Sequence, residues 1–331
     1  GIAISALVVH TLLQQINPVQ VMLFEWLGSS QAWFAVLRFV LAFLLIIGPT
    51  ALMGATLPVL TRYLVNQESV VGVKLSSLYA VNTLGAVSGV LLTGFFLIGA
   101  YGIHVPVYIA VLGNVVLGLI AWTFSRQKCD PASRAGLETP QPRPDSSQAA
   151  GALTYRVILF GLGISGFTSF AYEIYWTRSL VFIMGNSTYA LSTMLTAFLT
   201  GIALGAYLVR FVLSGNTDRC VLFGWIQVAL GVTSALALPL LFAVGDPQEL
   251  YQSLLQTTGQ AVPLMLTRFG IAFLVMLVPA ILIGATFPLV TQIGVSDWRR
   301  TGSGVGRTYA INTAGNVLGA LLPGLIPLNW L

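Results

Sequence analysis

The feature that most constrains this chain is a series of long apolar stretches separated by short polar connections. The stretches run roughly over residues 1–14, 31–61, 76–99, 103–125, 155–181, 187–209, 221–244, 264–291 and 305–328. A membrane-spanning α-helix needs about 20 mostly apolar residues. Only 8% of the residues are charged, whereas soluble domains have roughly 25%. The sequence therefore predicts an all-α polytopic membrane protein with about nine spans and excludes a soluble enzyme, a disordered chain and a secreted disulfide scaffold.

Basic residues are distributed unevenly between the connections. If residues 127–153 face the cytoplasm and the spans alternate, twelve basic residues lie on the cytoplasmic side: Arg62, Lys74, Arg126, Lys128, Arg134, Arg143, Arg156, Arg210, Arg219, Arg299, Arg300 and Arg307. The outer connections 15–30, 100–102, 182–186 and 245–263 contain no lysine or arginine. This asymmetry follows the positive-inside rule. It accounts for the net charge of +5 without a nucleic-acid partner.

An internal repeat links the two ends of the chain at a constant offset of 230 residues. The sequence GATLP at 54–58 returns as GATFP at 284–288, and YAVNT at 79–83 returns as YAINT at 309–313. Arg38 and Pro49 return as Arg268 and Pro279. Because the matching spans point in the same direction, the repeat is parallel, which is the pattern of major-facilitator halves.

The repeat also predicts the domain organisation. Residues 1–126 form a first helical half that lacks two spans and part of a third relative to the second half. Residues 154–331 form a second half that lacks its last span, and the Pro- and Ser-rich segment 127–153 is a cytoplasmic linker between them. We therefore expect the chain to be a truncated form of a major-facilitator-like parallel 6+6 architecture.

Glu173 is the acidic residue that the pattern singles out, because it lies within an apolar span. A charged side chain at the centre of a bilayer costs at least ~2.5 kcal/mol, so it marks a functional or paired position. The functional interpretation is a substrate-binding site in which Tyr172, Tyr175 and Trp176 form walls for a cation. The structural interpretation is an ion pair with Arg178 or Arg268.

Several other polar and proline positions are candidates for structural or gating roles. Arg38 and Arg268 occupy equivalent places near the outer ends of two spans, where snorkelling to the interface is the simpler explanation. Asn82 and Asn312 are expected to hydrogen-bond between helices, with a direct ligand role as the alternative. Pro49 and Pro279 predict bends within long spans.

Enzyme chemistry has no recognisable motif in this chain. GLGISG at 161–166 matches a dinucleotide fingerprint, but it lies inside an apolar span rather than after a strand. The histidines, His10 and His104, and the cysteines, Cys129 and Cys220, are far apart in the sequence. We therefore predict no catalytic residue, no metal and no cofactor, and expect packing or interface roles for both histidines.

The segment GFTSFAYEIYWTRSLVFIMGNSTYALSTMLTAFLTGIALGAYL at 166–208, with the two GATxP and YAxNT blocks, resembles the membrane region of bacterial fused spermidine synthase-like proteins. In that family a facilitator-like helical region precedes a cytoplasmic polyamine aminopropyltransferase-like domain. The resemblance implies an inner-membrane location and a polyamine or related organic cation as a partner besides the lipid bilayer. Nothing in this chain corresponds to the catalytic domain, so whether the full-length protein is an enzyme stays open.

Three functions follow from these features. The first is a transporter-like core that handles a polyamine or related organic cation, with Glu173 as the anionic contact. The second is a membrane-anchoring or regulatory region of an aminopropyltransferase, fused or associated. The third is a structural membrane subunit.

The predicted orientation is tested with cysteine labelling. Cys129 and Cys220 lie on the predicted cytoplasmic side, so a membrane-impermeant maleimide should label neither in intact bacterial cells and both after permeabilisation. Gln248→Cys, in the predicted outer connection 245–263, should label in intact cells. Labelling of Cys129 from outside would reverse the orientation.

Overall fold

A computed structural model describes residues 1–15, 21, 31–64, 71–126, 148–184, 188–215, 217–243, 261–294 and 301–325. These residues are helical at every predicted span and contain no strand, which confirms the all-α class. The helices are α1 (Ile2–Gln14), α2 (Gln31–Leu64), α3 (Val71–Leu91), α4 (Ile98–Tyr101), α5 (His104–Arg126), α6 (Gln148–Met184), α7 (Thr188–Leu213), α8 (Arg219–Ala243), α9 (Ala261–Gly294) and α10 (Thr301–Leu325). A π-helical stretch, Leu92–Leu97, joins α3 to α4.

Among the described residues, seven helical segments are long and apolar enough to cross a membrane: Val36–Leu64, Gly72–Tyr101, His104–Phe124, Leu153–Ser179, Leu191–Leu213, Arg219–Ala237 and Phe273–Gly294. Two of the nine predicted spans fall short. The described part of α1 has 13 residues, and α10 has 25 residues but is less apolar. The protein has the helices of a multi-pass membrane protein.

The chain forms two compact units that do not follow the predicted halves. Unit 1 comprises residues 1–57 and 97–141, and unit 2 comprises residues 58–96 and 142–331. The predicted halves, 1–126 and 154–331, stay a prediction. Residues 127–147 of the predicted linker lie outside the described residues, and residues 148–153 belong to α6.

Apolar side chains remain on the surface of unit 1. In it, α1 packs against α5, and Ala3 is buried. None of the most apolar window of α5 is buried, and large hydrophobic residues such as Leu112, Leu117 and Phe124 are exposed. Exposed apolar helices of this kind are consistent with contact with a lipid bilayer.

Unit 2 depends on a close crossing of α7 and α9. A Cβ at Gly205 would lie 2.7 Å from the carbonyl carbon of Ile281 and 3.0 Å from its Cα. A Cβ at Gly284 would lie 2.6 Å from the Cα of Ile202. Both helices therefore use glycine where the partner backbone is nearest, as in the small-residue contacts of membrane helices.

A second close crossing brings α10 against α6. A Cβ at Gly319 would lie 2.7 Å from the carbonyl carbon of Phe167, and one at Gly315 would lie 3.0 Å from that of Gly163. Gly166 of α6 lies at the same crossing and faces α10, since its Cβ would lie 2.6 Å from the carbonyl oxygen of Asn312. Gly315 and Gly319 of α10 thus lie where its backbone is close to that of α6.

Two apolar clusters fill unit 2 along these helices. The first cluster contains Ile158, Leu159, Leu162, Val209, Leu213, Phe223, Ile226, Ala285, Leu289 and Val290. The second cluster contains Trp176, Met194, Ala197, Phe198, Ile202, Ala237, Met276 and Ala280. Four helices contribute to each cluster, so α6 to α9 form one packed body around the middle of α6.

The proline residues predicted to bend the spans do not interrupt the helices. Pro49 lies within the continuous helix α2, and Pro279 and Pro288 lie within α9. A further proline, Pro239, lies within α8. Each removes a backbone hydrogen bond from its helix. The bends themselves stay a prediction.

The close crossing of α7 and α9 predicts the effect of adding one methyl group. Gly205→Ala should destabilise the protein by about 1–3 kcal/mol, because the added carbon forces two backbones apart. Gly224→Ala is the matched control, since no neighbouring atom lies within 4 Å of a Cβ there. It should leave stability unchanged or raise it by about 0.5–1 kcal/mol. Reversible unfolding in mild detergent measures both, and equal stabilities would show that the crossing is not close.

Candidate functional site

A polar and aromatic stripe runs along the side of α6 that packs into unit 2. Ser165 and Ser169 are buried four residues apart, and Trp176 is buried two turns further on. Residues three, four and seven apart share one side of an α-helix. Glu173, four residues after Ser169, continues this stripe and is half-buried. An acidic residue therefore lies beside buried hydroxyls within a segment apolar enough to span a membrane.

An aromatic stack lies next to Glu173. The rings of Tyr172 and Trp176 are stacked with centroids 5.8 Å apart and an interplanar angle of 20°. Trp176 also meets Phe198 of α7 edge-on at 6.2 Å. Trp176 is 1% exposed, so the wall is fixed by packing. Two of the three predicted wall residues, Tyr172 and Trp176, therefore stack on each other, and Phe198 is an additional member that spacing within one helix does not reveal. The binding of a cation by these rings stays a prediction.

Buried polar atoms without a hydrogen-bond partner among the described residues occur on the helices around this stack. They are the indole nitrogen Nε1 of Trp176 and the hydroxyl oxygens of Thr196, Ser234 and, on α3, Ser76. An unsatisfied buried polar group costs about 1–3 kcal/mol. Native proteins keep few such groups, and each calls for an explanation.

One polar contact connects α6 with α8. The amide nitrogen of Gln227 donates to the hydroxyl oxygen of Ser165 over 3.3 Å, and Ser169 donates to the Ser165 carbonyl oxygen over 2.6 Å. Ser234 lies seven residues after Gln227 and is also buried. Two helix turns separate them, so α8 presents both polar residues on one side.

The structural interpretation of Glu173 required an ion pair. Among the described residues, Glu173 forms no ion pair with Arg178, although Arg178 is half-buried on the same helix. The side chain of Arg268 lies outside the described residues, so the second pairing stays a prediction. Tyr175 is half-buried and belongs to the same turn as Tyr172 and Glu173.

The two equivalent asparagines lie in different surroundings. Asn82 on α3 is exposed, whereas Asn312 on α10 is half-buried where α10 crosses α6. Asn316, one turn after Asn312, holds this crossing: its amide, oriented with the nitrogen towards the carbonyls, donates to Gly166 over 3.0 Å and to Asn312 over 3.1 Å. Asn316 is not repeated, since Ala86 stands at the equivalent place in the first half, and so the repeat does not predict its role. Arg38 is exposed on α2 in unit 1, apart from these residues.

The repeated tyrosines converge on one phenylalanine. Phe287, in the second GATxP block, lies 5.2 Å from the ring of Tyr79 and 5.7 Å from the ring of Tyr309. Phe287 is 3% exposed. Three repeat motifs on α3, α9 and α10 therefore meet at one point in unit 2. We call this set the aromatic trio. All three residues lie seven or eight positions from helix ends on the predicted cytoplasmic side.

A surface cavity of about 350 Å³ lies elsewhere in unit 2. It is lined by Leu64, Val73, Lys74, Ser77, Leu78 and Val81. The ammonium group of Lys74 donates to the carbonyl oxygen of Leu64 over 2.7 Å and thereby ties the start of α3 to the end of α2. The lining does not include Glu173 or the aromatic stack, so this cavity is not part of the candidate site.

Comparison with known proteins adds no relative: no protein-family model, curated protein or solved structure matches this chain. The resemblance to the membrane region of spermidine synthase-like proteins therefore stays a prediction.

The aromatic trio predicts an energetic coupling between the repeats. In a double-mutant cycle, Tyr79→Leu and Phe287→Leu should show a coupling of about 0.5–1.5 kcal/mol, the usual range for an aromatic pair. The control cycle pairs Tyr79→Leu with Phe223→Leu. Phe223 lies in the first apolar cluster, so this cycle should be additive within about 0.5 kcal/mol. Unfolding free energies in mild detergent provide the measurement. An additive Tyr79–Phe287 cycle would contradict the contact.

Proposed function

We propose that this protein is the transporter-like core of a spermidine synthase-like membrane protein and that it handles a polyamine or related organic cation. The observation that carries the proposal is the position of Glu173. It lies in an apolar span, half-buried beside the Tyr172–Trp176 stack, without an ion-pair partner among the described residues.

A carboxylate in this position favours a cationic ligand. Its charge costs at least ~2.5 kcal/mol inside a bilayer unless an opposite charge is near. An ammonium group bound to Glu173 removes that cost, and a neighbouring aromatic face adds about 0.5–2 kcal/mol to its binding. Polyamines combine ammonium groups with short methylene chains, so one chain end suits the acid and the methylenes suit Tyr172 and Phe198.

The buried polar atoms support the same assignment. The hydroxyl oxygens of Thr196 and Ser234 provide hydrogen-bond acceptors on α7 and α8. Amine ligands donate hydrogen bonds, which hydroxyl oxygens accept. A single charged contact with a few placed polar groups and aromatic walls is typical of small-molecule sites.

The proposed mechanism is alternating access between two six-helix halves of a major-facilitator-like 6+6 architecture. The constant repeat offset of 230 residues supports this architecture. In the predicted orientation the linker is cytoplasmic and the membrane is the bacterial inner membrane. The aromatic trio then lies on the cytoplasmic side of Glu173, where it would close the route between the site and the cell interior.

An anchoring function is the alternative that a specific observation favours. The segment at 166–208 resembles a family in which a catalytic domain follows the helical region. In that case the helices hold or regulate a fused or associated aminopropyltransferase, and Glu173 has a structural role. A structural subunit without transport is the second alternative.

The transport proposal is tested by flux in proteoliposomes. The native polypeptide should take up radiolabelled spermidine, and Glu173→Gln should lower uptake at least 10-fold with an unchanged unfolding temperature. The reason is that the amide keeps the shape of the side chain but removes its charge. Glu249→Gln, in the predicted outer connection, is the matched control and should transport normally.

The possible outcomes separate the three functions. Normal uptake by Glu173→Gln would refute the assignment of Glu173 to the binding site but would not refute the transport function. Uptake by the native polypeptide no faster than by protein-free liposomes would refute transport of spermidine. Aminopropyl transfer by the full-length protein would then be assayed, and its presence would favour the anchoring function.

A further inference from the structure

The two histidines of the chain, 94 residues apart, meet in unit 1. The Nδ1 atom of His104 lies 3.2 Å from the Nε2 atom of His10. Their rings are edge-on, with centroids 5.1 Å apart and an interplanar angle of 75°. The sequence predicts packing or interface roles for the two histidines, because nothing in it places them together. The structure brings every imidazole of the chain to one point.

Gln14 completes a triangle with the two imidazoles. Its amide terminus lies 3.2 Å from His10 Nε2 and 3.5 Å from His104 Nδ1. A half-turn of the amide exchanges its oxygen and nitrogen, so this position can hold either atom. With the oxygen in this position, three electron-pair donor atoms form a triangle with sides of 3.2, 3.2 and 3.5 Å.

The two helices that carry these three groups, α1 and α5, both belong to unit 1. His10 and Gln14 are four residues apart on α1, so they project from the same side of the helix. His104 is the first residue of α5, directly after the turn at Gly102, whose φ of 75° lies in the left-handed region that favours glycine. Tyr108, one turn later, contacts the His10 ring edge-on at 5.7 Å and restrains its orientation.

The spacing matches that of ligands on one metal ion. Two nitrogen ligands at about 2.0–2.1 Å from a tetrahedral Zn²⁺ lie roughly 3.3 Å apart. The three separations between the donor atoms are 3.2, 3.2 and 3.5 Å, so the atoms can form one triangular face of a tetrahedron. Imidazole nitrogen suits zinc, copper and nickel, and the amide oxygen is a harder third donor.

We propose that His10, Gln14 and His104 bind a late first-row divalent metal ion of the Zn²⁺ type. The ion joins α1 to α5 and keeps a fourth position for water or another ligand, as in sites with three protein ligands. Gln14 and His104 are exposed, so an ion can reach them. In the predicted orientation the site lies at the outer surface of the inner membrane. This inference does not depend on the transport proposal.

Zinc binding to the purified protein tests the site. The protein is prepared with a histidine-free affinity tag in a Cys129→Ser, Cys220→Ser background, so that no thiol competes. Equilibrium dialysis against Zn²⁺ should give one ion per chain. His10→Ala and His104→Ala should each weaken binding at least 10-fold, and Gln14→Ala should weaken it less. Gln15→Ala, the next residue along the chain, should bind as the parent does.

A second measurement keeps the test independent of folding. His10→Phe retains a ring against Tyr108 but removes the ligand nitrogen, so it should fold normally and lose binding. Co²⁺ in place of Zn²⁺ should give the intense visible absorption of a tetrahedral site, and this absorption should disappear in His10→Phe. Equal Zn²⁺ binding by the parent and by His10→Phe, or no binding by either, would overturn the proposal and leave a hydrogen-bonded histidine pair.

Discussion

The close approach of α7 and α9 is the contact on which unit 2 depends. Gly205 and Gly284 lie where the two backbones are nearest, and neither position has room for a Cβ. In a bilayer, lipid tails are as apolar as leucine, so helices associate through close packing and polar contacts rather than through the hydrophobic effect. A helix pair built on glycine has the backbone proximity that this packing needs.

That crossing also determines what surrounds α6. About half of the apolar window of α7 and 56% of that of α9 are buried, against none for α2 and α5. The second apolar cluster, which joins Trp176 to Phe198, Met276 and Ala280, exists because α7 and α9 lie together. The aromatic stack next to Glu173 is therefore held from two sides by residues outside α6. A rigid wall of this kind lowers the conformational entropy that a ligand would lose on binding.

Sequence patterns predicted the helices of this fold better than the contacts between helices. Apolar stretch length located nine of the ten α-helices of the described residues, all except the four-residue α4, because the requirement is local to each segment. Ser165 and Ser169 of α6 were not predicted, whereas Tyr172, Glu173, Tyr175 and Trp176 followed from a carboxylate with neighbouring aromatic residues in one apolar span. Phe198, Ser234 and Asn316 did not, because they come from other helices and depend on which helices are neighbours. The pairing of His10 with His104 was missed for the same reason.

Equivalent glycines of the two repeats have different surroundings in this structure. Gly85 and Gly89 on α3 have the spacing of Gly315 and Gly319 on α10, yet only the second pair packs against another backbone. No neighbouring atom of the described residues lies within 4 Å of a Cβ at Gly85 or Gly89. The difference is that α6 covers Gly315 and Gly319.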